Sequence, residues 1–203
     1  EEFHSQGFAK MDDMYMLLDE LWASDGYKFN QQEEQYKEDA KLMINNYIEY
    51  LEEHPANIVG VEKKLSFTMD NCIINGRYDR IDLDSEGNIF IYDYKTSKTS
   101  QSSSQLKRNI QLGVYALGIY YDGIQIKNKI LKNIYPEKLS ILSLRNNDNI
   151  ESSITFTEDD IAGFVDKIND TVIGISNGEF KATKNFYCDS CDYKELFCPL
   201  FNK

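Results

Sequence analysis

Asp79, Asp93 and Lys95 are the residues of this chain whose types and spacing most plainly offer chemistry. They lie in "NGRYDRIDLDSEGNIFIYDYKTSK" (75–98), two alternating apolar runs joined by the turn-forming "DSEGN". An antiparallel hairpin centred near Glu86 pairs Leu83 with Ile89, Ile81 with Ile91 and Asp79 with Asp93. Side chains directly opposite on one face lie about 5 Å apart at Cβ. Period two puts Lys95 on the same face as Asp93, beside Ile81, Ile89 and Ile91. Two carboxylates brought together on a core-facing side repel, and they are costly to desolvate unless they share a proton or a cation. Mg²⁺ or Mn²⁺ takes oxygen ligands, and Asp79, Asp93 and the main-chain carbonyl of Tyr94 supply three. Lys95 then stands beside the attacking water or a scissile phosphate. This set suits phosphodiester hydrolysis, in which the metal activates water and neutralises charge while Lys95 orients or stabilises. A solvated surface hairpin is the bland reading of a bare Asp-x-Lys; the isoleucines sharing the face weigh against it.

The elements that must hold these residues are legible from periodicity. Helices are predicted over 11–23 and 31–53, the second with Tyr36, Ala40, Met43, Tyr47 and Leu51 on one stripe and "HPAN" as its stop. A strand follows at 58–69, with Val59, Val61, Lys63 and Leu65 on one side and Gly60, Glu62, Lys64 and Ser66 on the other. The hairpin strands are expected at about 72–83 and 88–95. A long helix is expected over about 103–121, and 122–136 are left open, with room for a short helix. Strands are predicted at 138–144 and 151–156, around "RNNDN". Thr157 with Asp160 marks a helix start, and Ile161, Phe164, Val165, Ile168 and Val172 mark its apolar face, with Gly178 beyond its end. The order is that of an α/β layered core.

The chain has 203 residues, 41% hydrophobic, with 14 Tyr and 11 Phe, which argues for a folded protein. Its apolar runs fall short of the ~20 residues a membrane span needs, and the start, "EEFHSQGFAK", does not read as a signal peptide. With no initiator Met, it reads as a fragment of a longer protein. The net charge of −12 is lopsided: residues 1–54 hold 14 acidic and 4 basic residues, and the remainder 20 and 18. Lys63, Lys64, Lys95, Lys98, Lys107 and Arg108 could therefore line a basic groove for a polyanion.

Taken together, "GRYDRID…IYDYKTSK" followed by "QLGVYALGIY" resembles the PD-(D/E)XK nuclease superfamily. Its RecB-type branch, found at the C-terminus of UvrD-like helicases and in AddB-like subunits, is the most similar, and the CRISPR-associated Fe–S exonucleases are more distant relatives. The resemblance implies a restriction-endonuclease-like α/β core, a central mixed sheet flanked by helices, with a helical N-terminal part (1–54), a nuclease core (55–180) and a cysteine-bearing tail (181–203) in one nuclease domain. It also implies a Mg²⁺- or Mn²⁺-dependent deoxyribonuclease, an exonuclease on single-stranded DNA, working in end processing, recombination or repair with a helicase domain or subunit, in the cytoplasm at the nucleoid. Asp79 and Asp93 match the metal-binding acids, Lys95 the catalytic lysine, and Gln111 and Tyr115 the Gln-x3-Tyr helix motif. These last two are four apart on one helical face, able to orient Lys95 and contact phosphate. Glu62, on a neighbouring strand, is a further candidate ligand. Arg77 and Arg80 are candidates for holding phosphate or neighbouring acids, and Gly76 for close packing. The family's upstream metal-binding His either precedes Glu1 or is His4. Plain surface packing remains open for Gln111 and Tyr115, and an edge-strand charge for Glu62.

"CDSCDYKELFCP" brings Cys188, Cys191 and Cys198 close in sequence, a spacing that reads as metal ligation rather than disulfides. The resemblance implies three ligands of a [4Fe–4S] cluster whose fourth lies outside the fragment; Zn²⁺ suits the same thiolates. Cys72 reads as a buried core cysteine. Two other functions stay open: a nuclease-dead DNA-binding or scaffolding module, and a zinc-binding interaction domain.

Overall fold

The computed structural model describes residues 11–55, 57–70, 72–126 and 128–201. The elements are α1 (Met11–Leu21), α2 (Asn30–Glu53), β1 (Ile58–Met69), β2 (Cys72–Leu83), β3 (Ile89–Lys95), α3 (Ser103–Leu106), α4 (Ile110–Tyr121), β4 (Ile124–Ile126), β5 (Lys129–Leu131), β6 (Lys138–Ser143), β7 (Glu151–Ile154) and α5 (Glu158–Ser176), then a 3-10 turn at Phe186–Ser190. Five strands form a mixed sheet in the order β1-β2-β3-β6-β7; β4 and β5 form a separate hairpin. All pairings are antiparallel except β3 with β6, which is parallel. A parallel neighbour requires a crossover, and α3, α4 and the β4–β5 hairpin lie within it. None of the described helices is long and apolar enough to cross a membrane.

The sheet has two covered faces, and β3 shows it residue by residue, since consecutive side chains point to opposite sides. Asp93 meets Tyr115 of α4, whereas Tyr94 meets Tyr47 of α2, with hydroxyls 2.7 Å apart. On the α4 side, Ile81 pairs with Ile91, Ile91 with Leu139 and Asp93 with Ile141, all essentially without solvent exposure. On the α2 side, Tyr50, Tyr92 and Leu142 form a buried cluster with Tyr47, Phe90 and Tyr94 against it. The same side buries Arg80 and Asp82, joined by two hydrogen bonds from the guanidinium, with Arg80 4.4 Å from the Tyr92 ring centroid. Neither charge is left alone, which is the condition for burying one.

Two expectations are corrected. The helix placed at 103–121 is two helices, because the Asn109 side chain accepts from Gln111 N (3.0 Å) and Leu112 N (3.3 Å) and starts α4 afresh. Among the described residues of 122–136 there is no helix but the β4–β5 hairpin, in keeping with β-branched Ile124, Ile126 and Ile130 after Gly123, which has φ +80°.

The chain divides into two compact units, Glu1–Phe164 and Val165–Lys203. The sheet and α1–α4 belong to the first. In the second, α5 ends in a left-handed Gly178, with Gly178 N donating to Ile175 O and Glu179 N to Gly174 O. The Asn185 side chain then caps the 3-10 turn that carries Cys188.

α4 approaches its neighbours through glycines. A Cβ at Gly113 would stand 2.5 Å from the Phe164 ring, and one at Gly118 would collide with the Tyr78 hydroxyl. Gly163 on α5 faces open space. Gly163→Ala should therefore stabilise the protein by roughly 1 kcal/mol through helix propensity. Gly113→Ala should reverse that sign and cost about 1–3 kcal/mol through overpacking. Urea unfolding midpoints of the two variants read the contrast directly.

Candidate active site

The hairpin adopts the register its sequence implies for its outer part: Leu83 faces Ile89, Ile81 faces Ile91 and Arg80 faces Tyr92. The ladder stops there. The predicted Asp79–Asp93 pair is not a rung; the Asp79 carboxylate instead accepts the Tyr94 backbone N–H at 2.8 Å. Asp79 is also skipped on its other side, where β1 pairs at Val61–Arg80 and Lys63–Tyr78. Tyr78 and Arg80 reach opposite faces of the sheet: the Tyr78 hydroxyl donates to Tyr115 O on α4, and Arg80 Nη1 reaches Tyr47 Oη on α2. The strand thus turns over at Asp79, and its side chain swings toward Asp93. Irregularities of this kind re-aim side chains beside functional sites.

Four side chains form a closed circuit around Asp93. Lys95 Nζ donates to Gln111 Oε1 at 2.9 Å. Gln111 Nε2 donates to Tyr115 Oη at 2.9 Å, and Tyr115 Oη donates to Asp93 Oδ1 at 3.3 Å. Lys95 Nζ closes the ring at 2.7 Å from Asp93 Oδ2. The order of donors is forced. Lysine can only donate, so the glutamine oxygen must face it; the amide N–H then faces Tyr115, whose own proton is left for the carboxylate.

Asp93 has no solvent exposure, and its Oδ2 makes no hydrogen bond: the Lys95 contact is a short ion pair at an angle unsuited to one. Burial pushes its carboxyl above the usual range, Lys95 pulls it back, and the nearby Asp79 charge pushes it up again. Burial, then the Asp93 charge, raises the Tyr115 hydroxyl, which stays a donor at neutral pH.

The loop after Lys95 is stitched to the sheet. Leu144 N donates to Lys95 O, the Ser97 and Ser143 hydroxyls lie 3.2 Å apart, Ser143 Oγ donates to Thr99 O, and Gln101 N donates to Ser152 Oγ. The sequence reading passed over these hydroxyls; the run "TSKTSQSSS" signals Ser97 alone, since Ser143 and Ser152 stand on β6 and β7. It also passed over Tyr94 N, whose role depends on the broken ladder.

Other candidates lie elsewhere. Glu62 faces the gap at Asp79 but sits at φ +50°, a left-handed conformation costly for a side chain. Its carboxylate takes Arg77 Nη1 at 2.9 Å, both side chains half exposed. Gly76 packs closely on Leu65. Lys63 donates to Gln125 O, Lys107 pairs with Asp160 at 3.7 Å, and Lys64, Lys98 and Arg108 are exposed. His4 lies outside the described residues. Cys72 is half-buried at the start of β2 rather than in the core. The tail cysteines form no disulfide among the described residues. Among the described residues, His, Cys, Asp and Glu nowhere gather in threes as a metal-binding group.

A family model described as the PD-(D/E)XK nuclease superfamily matches residues 1–199. The solved "Crystal structure of SSO0001" is similar at 19% identity and a TM-score of 0.44, over 85% of this chain and 81% of that one. No curated protein matches the chain.

Because Asp93 holds its proton more tightly in the fold than in the unfolded chain, its contribution to stability is full below about pH 3.9 and is lost as pH rises through the raised value. Asp93→Asn removes this ionisation. In chelator-treated protein, the variant should gain on the wild type as pH rises from about 4, then level off. Denaturant titrations at stepped pH read this. A difference that stays flat or runs the other way would refute it.

Proposed function

The chain belongs to the PD-(D/E)XK nuclease superfamily, and on that footing we propose that it is a Mg²⁺- or Mn²⁺-dependent deoxyribonuclease whose site is Asp79, Asp93, Lys95, Gln111 and Tyr115. The observation that carries this is the closed circuit at the end of β3, built around a wholly buried carboxylate with an oxygen free of hydrogen bonds. That oxygen, the Asp79 carboxylate and the Tyr94 carbonyl are hard donors of the kind such cations take, so the residues fit the ion. When bound, the cation supplies water activation and charge neutralisation.

The chain's own groups do the rest. Tyr115 holds Asp93 Oδ1, which leaves Oδ2 as the ligand atom. Gln111 fixes the Lys95 rotamer. Lys95 spends one donor on Gln111 and meets Asp93 as an ion pair alone, which leaves N–H groups for a phosphate oxygen as charge grows on it. Glu62 joins only by leaving Arg77.

Single-stranded DNA as substrate, exonuclease action, the RecB-type branch and a helicase partner in DNA repair or recombination, at the nucleoid, form the finer part of the proposal. The branch and its helicase partner rest on the resemblance in motif order, and single-stranded DNA on the analogy that a cleft fed by a helicase receives unwound strands; a single nuclease domain over 1–203 is part of the same proposal. Cys188, Cys191 and Cys198 are proposed as partial ligands of a [4Fe–4S] cluster, or of Zn²⁺. The described residues show no gathered site for either, and no catalytic step runs through them. Iron and zinc analysis of protein purified without oxygen separates the two.

The test is cleavage of end-labelled single-stranded DNA with Mn²⁺. Wild type should cut, Asp93→Ala should fall to background, and Lys95→Ala should lose about 10²–10³-fold in kcat. Equal activity in all three would remove the assignment. DNA binding without cleavage would favour the nuclease-dead scaffolding module.

A further inference from the structure

Four aromatic rings run in a row where the C-terminal end of α4 meets β1 and the segment after β5. Phe67 stacks on Tyr121 (centroids 5.5 Å, 13° between planes), Tyr121 meets Tyr120 edge-on (5.2 Å), and Tyr120 stacks on Tyr135 (4.8 Å, 13°). Phe67 is buried, whereas Tyr121 and Tyr135 are 45% and 40% exposed. Each part-exposed ring is therefore backed face-on by a less exposed one, which fixes its orientation. The backbone is pinned as well: Asn133 N donates to Tyr120 O, and Ser66 N to the Asp122 carboxylate.

The charge around these rings is unlike that of the rest of the chain. Residues 123–136 carry three lysines and no acid, in a protein of net charge −12. Exposed Lys129 and Lys132 have no ion-pair partner among the described residues. Asp122 and Glu137 bound the segment, and Glu158 lies within electrostatic reach of Tyr135. Rigid, part-exposed aromatic rings beside unpaired lysines are how proteins hold single-stranded nucleic acid, one ring per base.

We propose that Tyr121 and Tyr135 are a base-stacking station for the single-stranded nucleic acid that the site cuts. The inference rests on the nuclease reading above and names where the strand runs. α4 links the two places: from Gln111 to Tyr121 it rises about 15 Å, roughly four nucleotides at the stacked per-strand spacing of 3.4 Å. The station holds bases remote from the scissile bond, so it governs grip on long strands and not the chemical step.

The whole chain is titrated in EDTA into a fluorescein-labelled oligothymidylate of about 15 nucleotides. Tyr121→Ala/Tyr135→Ala should weaken binding about tenfold or more. Tyr121→Phe/Tyr135→Phe, which keeps both rings, should bind as wild type does. Lys129→Gln/Lys132→Gln should flatten the dependence of log affinity on log salt by about two. A second arm follows cleavage of a dinucleotide with Mn²⁺, a substrate too short to reach the rings; the alanine variant should cut it within about twofold of wild type. Unchanged oligonucleotide binding in the alanine variant overturns the proposal and leaves the surface to a protein partner. Loss of dinucleotide cleavage in that variant alone overturns it too, because the rings would then be supporting the site. A wild type that binds the strand through these rings yet cuts nothing strikes the nuclease reading and leaves the station standing.

Discussion

A carboxylate with no access to water is the constraint around which the first unit is arranged. Asp93 follows Ile91 on its strand and lies beside Ile141 on the next, so its side chain enters a face built for hydrocarbon. Desolvating such a group costs several kcal/mol unless partners replace the lost water. Those partners come from one helix and one strand end. Tyr115 reaches the acid, and Gln111 reaches Lys95 and Tyr115, from an α4 that lies close to the sheet, where Gly118 leaves room for Tyr78 and Leu65. Lys95 arrives by period two. Glutamine suits the link because one amide accepts from the lysine and donates to the tyrosine.

The other face solves a similar problem by different means. Arg80 and Asp82 bury a complete ion pair beneath Tyr92, and Tyr50, Ser140 and Lys138 all converge on Glu151. Tyr94 joins this face to β3 through Tyr47. Consecutive residues of one strand, Asp93 and Tyr94, therefore carry the hydrogen bonds to α4 and α2 that fix the strand from both sides. The Tyr94 peptide N–H anchors Asp79 as well.

Much of this was legible because alternation and turn chemistry are local. β1 and β2 form where alternation places them, although it breaks at Glu62 and Asp79, and the outer hairpin register follows from "DSEGN". Two periods, four on a helix and two on a strand, pair Gln111 with Tyr115 and Asp93 with Lys95; that the two pairs would meet was implied by the family resemblance alone. What local pattern could not show is the break at Asn109, where a capping side chain outbids helix continuation. It could not show the β4–β5 hairpin either, since a short run of isoleucines fits strand or helix alike. Nor could it show Asp79 leaving its rung. That depends on Glu62 adopting a left-handed backbone opposite it, and on a free Tyr94 N–H, both products of three strands meeting. The Glu62–Arg77 pair was hidden for the same reason.

The lysine that completes the circuit also bears on how a cation reaches the acid. Asp93 is sealed, while the Lys95 side chain is about one-third exposed and lies directly against Oδ2. Asp79, only half-buried, is the acid a cation can meet from solvent, whereas a divalent cation in contact with the Lys95 ammonium is repelled by about 8 kcal/mol in a protein-surface dielectric. A cation taking Oδ2 would have to part that ion pair, so the acids' attraction for it is offset by the cost of leaving the ammonium without its partner.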